Sequence, residues 1–119
     1  MKLIAPFITL QEQLRIFHWQ SETYAQHKAF QKAYEALGDL IDTFVEVYSG
    51  KYGKPRAKLK YSLNLSNFDG DYAEFIDSSI SFLDAFNAEF DANKDSDLLN
   101  IRDEMKSVLN QLKYLLTLK

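Results

Sequence analysis

His18 and His27 are the only imidazoles in this chain of 119 residues, and they lie nine residues apart. From His27 a polar stripe runs on through Gln31, Glu35, Asp42 and Glu46 at steps of four and seven residues. On an α-helix such steps return to one face. Imidazole nitrogens and carboxylate oxygens together are the donor set of a non-haem iron, manganese or zinc site. Carboxylate bundles that hold such metals within one chain use a Glu-x-x-His from each of two helices. This chain contains no Glu-x-x-His, so an ordinary intrachain centre is not expected.

Fifteen residues separate His27 from Asp42, which is about 22 Å along a helix rising 1.5 Å per residue. They cannot share a metal inside one chain. In a two-fold dimer with this helix antiparallel to its mate, the histidine end of one faces the carboxylate end of the other. Two equivalent sites result, and the symmetry centre falls between residues 35 and 38. Gly38 sits there, where a missing side chain would favour close helix approach.

Four amphipathic segments position these residues. The first runs from about Pro6 to Trp19 with Phe7, Leu10, Leu14 and Phe17 on one stripe. Pro6 suits a first helical turn, and Thr9 with Glu12 offers a capping box should the helix start later. The second runs from about Ala25 to Ser49 with Phe30, Tyr34, Leu37, Ile41, Phe44 and Tyr48 inward, and Gly50 and Gly53 stop it. The third opens with a capping-box pattern, Asp71 and Glu74, and carries Tyr72, Phe75, Ile76, Ile80, Leu83, Phe86 and Phe90. Asp95 or Ser96 caps the fourth, whose stripe is Leu98, Ile101, Met105, Val108, Leu112 and Leu115 or Leu116. The expected fold is all-α: a single domain over residues 1–119, a four-helix bundle with short-linked antiparallel hairpins at each end of the sequence. The long connection over residues 50–70 can run the length of the bundle. The second and third helices would then be parallel, the ferritin-like arrangement rather than simple up-and-down order.

Composition narrows the classes. With 46% hydrophobic and 14% aromatic residues the chain is no disordered segment, and with no cysteine it has neither a disulfide framework nor a zinc finger. No apolar run reaches the roughly 18 residues of a membrane span. The first residues, Met1 to Pro6, are too short an apolar stretch for a signal peptide, so a cytoplasmic protein is expected. A net charge of −3 argues against general coating of nucleic acid.

The stretch Phe17-His18-Trp19-Gln20, then His27, then Asp42-x-x-x-Glu46 resembles the ferroxidase region of the Dps proteins, mini-ferritins that protect DNA during starvation and oxidation. The resemblance covers about residues 10–50. It implies a site built across a dimer interface, with His18 and His27 as ligands from one chain and Asp42 and Glu46 from the other. It also implies iron as the metal, with zinc or manganese as substitutes, and oxidation of Fe(II) by peroxide or oxygen. Trp19 is then either the family's tryptophan beside the metal or an interface or core aromatic. Two departures stand out. The spacing between the histidines is shorter, and Gln31 replaces the aspartate expected four residues after the second histidine. A neutral amide is a poorer ligand for a hard cation, which leaves Gln31 and Glu35 as weak or supporting ligands. Short, divergent ferritin-like proteins of this kind are also encoded by bacteriophages, so the resemblance implies a bacterial or phage-infected cell.

Two other classes compete with this expectation of a homodimer, or a larger shell of dimers. One is a non-enzymatic ferritin-like scaffold, a virion or regulatory component with a degenerate site. The other is a DNA-binding bundle acting through Lys51, Lys54, Arg56, Lys58 and Lys60. Tyr52 and Tyr61 are too sparse for a stacking platform, so those cations are read first as a solvated loop. The alternation of Leu59, Tyr61, Leu63 and Leu65 with polar residues suggests that part of the loop lies extended against the bundle.

Overall fold

The first helix begins where Pro6 predicts. The computed structural model describes residues 2–118 and starts α1 at Ile4–Gln20, placing Pro6 in the first turn, where its missing N–H costs nothing. Thr9 caps no helix; its hydroxyl bonds back to the Ala5 carbonyl at 2.7 Å. A three-residue turn leads to α2, Tyr24–Tyr52, capped by Thr23, whose Oγ1 accepts from the Gln26 amide at 3.1 Å. Gln26 reaches back to the Glu22 amide at 3.3 Å, a variant of the capping box. Gly50 lies inside α2. The helix ends at Gly53, whose φ of +91° turns the chain while its amide bonds to the Ser49 carbonyl.

The third segment breaks at Ala85 into α3, Tyr72–Asp84, and α4, Phe86–Glu89. Buried Arg102 attends the break, donating to the Leu83 carbonyl and to Asn87 Oδ1, both at 2.8 Å. Asp71 makes no side-chain cap; its own amide donates to Asp69 Oδ1. The last helix, α5, is Ser96–Leu115. Asp95 stands at its N-cap position but gives its carboxylate to Tyr52 and to the Asp91 amide instead.

Contacts fix the directions. Phe17 meets Phe30 and Phe7 meets Phe44, so α1 and α2 are antiparallel. Lys113 pairs with Asp77 and Lys106 with Asp84, so α3 and α5 are antiparallel. Phe17 also meets Phe75, and Phe7 meets Phe82, which makes α1 and α3 antiparallel. Helices α2 and α3 therefore run the same way, and the connection between them spans the length of the packed helices. One apolar core joins the elements, with Phe7, Phe30, Phe44 and Phe86 fully buried. Among the described residues there is no strand, and no helix is long and apolar enough to cross a membrane.

The connection over residues 54–71 is a strap tied down at one end. Gln13, only 3% exposed, donates to the Ser66 carbonyl at 2.7 Å and accepts the Ser66 amide at 2.8 Å. Two turns further along the same face of α1, Gln20 binds Asn67 Oδ1 and the Phe68 amide, and Phe68 packs among Phe17, Phe30 and Tyr72. The alternating residues Leu59, Tyr61, Leu63 and Leu65 do not pack inward; all are exposed, Leu59 to 96%. Gln13→Ala removes both bonds to Ser66. It should cost about 1 kcal/mol, because the freed main chain can turn to water. Hydrogen exchange checks this: the Ser66 amide loses its protection in the variant, and equal protection in both proteins would contradict the tie.

Candidate metal centre

His18 closes α1 and His27 opens α2, and the antiparallel pair brings them into contact. Their rings stack with centroids 3.8 Å apart at 26°. His18 Nδ1 lies 2.8 Å from the His27 carbonyl, and His27 Nδ1 lies 3.0 Å from the His18 carbonyl. A carbonyl oxygen only accepts, so each Nδ1 must carry the proton. In the neutral rings the lone pair is then on Nε2. Among the described residues neither Nε2 has a hydrogen-bond partner, and neither is a sealed orphan. The reciprocal bonds also satisfy one of the carbonyls that the end of α1 leaves free. Tyr34 supports the pair, its ring edge-on to His18 at 5.3 Å, and Arg15 lies 4.7 Å over the Tyr34 ring. By its spacing Tyr34 belongs to the apolar stripe of α2. Its seven-residue step from His27 was the available sign of this second role.

The carboxylates lie elsewhere. Asp42 and Glu46 are exposed at the other end of α2, bordering an apolar hollow of about 270 Å³ formed with Ile4, Phe7 and Ile8 of α1. Gln31 donates to Glu35 at 3.1 Å, so these two turn to each other. Among the described residues no three His, Asp or Glu side chains of one chain converge on a metal position. At Gly38 a Cβ would stand 2.5 Å from Gln11 Nε2 of the same chain, the far end of a flexible side chain.

Residues 18–116 match a family described as "Family of unknown function (DUF5856)". The chain belongs to this family. A similar protein is the "Uncharacterized 14.6 kDa protein in mobD-ri intergenic region" of Enterobacteria phage T4, 30% identical over 105 residues, which are 86% of this chain and 75% of that protein. No solved structure matches the chain. The span shared with the family begins at His18 and takes in His27, Asp42, Glu46 and the whole strap.

Two other expectations change within this family member. Trp19 is 68% exposed at the end of α1, which rules out a core role and leaves the metal-side and interface readings. Lys51 is not part of the loop: it sits in the last turn of α2 and binds Asp97 at 3.0 Å, Asp95 at 3.6 Å and the Lys94 carbonyl at 2.7 Å. The bond to Asp97 raises the Lys51 pKa and lowers that of Asp97, while the Tyr52 hydroxyl lowers that of Asp95. The same bond to Asp95, with burial, pushes the Tyr52 phenol from 10.0 to about 12.

The signs follow. The lowered carboxylates contribute stability above their ordinary range near pH 4, and it is lost as pH falls through their folded values. Neutral Tyr52 contributes stability below pH 10.0 that is lost as pH rises toward about 12. A phenolate absorbance titration should contain a component at about 12 that Tyr52→Phe deletes and Asp95→Asn moves back toward 10.0. A Tyr52 component already at its ordinary position in the parent would contradict the bond.

Proposed function

We propose that this chain is a ferritin-like four-helix bundle that dimerises through the outer side of α1 and α2 and binds iron or a similar divalent metal between subunits. His18 and His27 come from one protomer, and Asp42 and Glu46 from its partner. The observation that carries the reading is the histidine clasp. Because both Nδ1 atoms are occupied by carbonyls, Nε2 is the atom that each neutral ring has left for a metal, and the stack holds the two rings 3.8 Å apart, with His18 itself largely buried. Two imidazoles with two carboxylates suit a hard or borderline divalent ion and neutralise its charge. In such a site the protein orients the imidazoles through the clasp, and the two carboxylates supply the negative charge that favours Fe(III) over Fe(II). Bound iron would supply electrons to peroxide or oxygen.

A second reading has an observation of its own. The clasp already gives both histidines a structural task, joining the ends of α1 and α2, as expected of a scaffold with a degenerate site. Metal-binding complementation between His27→Ala and Asp42→Ala chains separates the two. A shared site is restored by mixing; a scaffold has nothing to lose in either variant.

A further inference from the structure

The untied half of the strap makes a second feature, at the end of α1 remote from the histidines. Residues 55–62 arch over the start of α1 and enclose an open groove of about 740 Å³. Half-buried Ile4 and Pro55 give it apolar walls over the buried Leu3, and Leu59 stands at its rim. All four charged side chains that line it, Lys2, Arg56, Lys58 and Lys60, are cationic. The chain as a whole carries 17 acidic against 14 basic residues, so this is a local reversal of charge. Among the described residues none of the four has an acidic partner within ion-pair distance.

We infer that this groove receives an acidic, apolar segment of a partner protein. Charge complementarity sets the sign. Four unpaired cations around one groove repel one another, and carboxylates entering between them relieve that repulsion and steer the encounter. The apolar walls set the rest of the chemistry. Phosphates do not fill a hollow walled by Ile4 and Pro55, and Tyr61 is the one aromatic there. A nucleic acid would therefore find charge but no row of rings on which successive bases could stack. Shape favours a chain over a compact ligand. The groove continues past Lys2, Ala5 and Ser62 into a second one, of about 450 Å³, between α1 and α3. Its cover can adjust, since Gln13 and Gln20 tie the strap only at residues 66–68. Leu59 is the natural anchor, an apolar side chain held 96% exposed beside the cations.

The test is fluorescence anisotropy with arrayed short peptides built from Asp, Glu, Leu, Ile and Phe. The same array with Lys and Arg replacing the acids, oligothymidine, and phosphatidylglycerol vesicles are the comparators. Members of the acidic array should bind, more weakly as salt rises. Lys58→Glu with Lys60→Glu, and separately Leu59→Asp, should each weaken binding about tenfold or more. These side chains are exposed, so circular dichroism should be unchanged in all of them. His27→Ala should bind the peptides as the parent does, which keeps this outcome independent of the metal reading. No binding by the acidic array, equal binding by the basic one, tighter binding of oligothymidine or vesicles, or variants indistinguishable from the parent would each overturn the inference.

Discussion

Equal mixing of His27→Ala and Asp42→Ala chains is expected to restore metal binding that neither variant has alone. His27→Ala removes an imidazole from each site of its homodimer, and Asp42→Ala removes a carboxylate from each. In the mixed dimer one site carries both lesions and the other carries neither. That native site takes His27 from the Asp42→Ala chain and Asp42 from the His27→Ala chain. Random pairing makes about half of the dimers mixed, so about a quarter of all sites recover. Zinc binding measured by calorimetry, with dimer mass followed by light scattering, reads this directly. Iron oxidation should recover in the same proportion. Defective variants that mixing does not rescue would sink the trans geometry. Variants that bind like the parent would establish the scaffold reading, with the histidine clasp as pure structure. Alanine at residue 27 also removes the bond to the His18 carbonyl. His27→Asn is the useful companion, since its amide can donate to that carbonyl but is a poor metal ligand.

The parts of this site that sequence made legible are those that depend on helical period alone. His27, Asp42 and Glu46 share a helix because their steps suit its turn, and His18 reaches His27 because the turn between the helices is short. What stayed hidden depends on partners distant in sequence. Nothing local to Asp95 shows that its carboxylate goes to Tyr52, 43 residues earlier, rather than to its own helix. That same contact explains why α2 continues through Gly50: Lys51 and Tyr52 gain bonds to Asp97 and Asp95 that offset a glycine's cost of about 1 kcal/mol. The break at Ala85 was invisible for a like reason, since Arg102 lies in the opposing helix. Apolar alternation misled over Leu59 to Leu65, because the strap is held by Gln13, Gln20 and Phe68 and those leucines are left outside.

Phe86→Ala should be the most damaging single truncation in the core. Phe86 is fully buried in α4, just past the break, and its ring meets Phe82 at 5.2 Å, Phe44 and Phe90 at 5.5 Å, and Phe7 at 6.1 Å. It therefore touches α1, α2 and α3 at once. Removing it leaves a cavity that three helices would have to move together to fill, and such truncations cost about 3–5 kcal/mol. Against a total of about 5–15 kcal/mol for a domain, that is a large fraction of the stability. At roughly 4 °C per kcal/mol, the melting temperature should fall by about 12–20 °C. Phe86→Leu keeps much of the volume and loses mainly the ring contacts, so its cost should stay near 1.5 kcal/mol. Leu59→Ala, at a side chain already in solvent, should change stability by less than about 0.5 kcal/mol. Thermal melts of the three variants give the ranking. A Phe86→Ala protein melting close to Leu59→Ala would mean that the aromatic cluster is not what joins α1 to α2. The alignment of that pair, on which the histidine clasp depends, would then have to come from the strap and the turn instead.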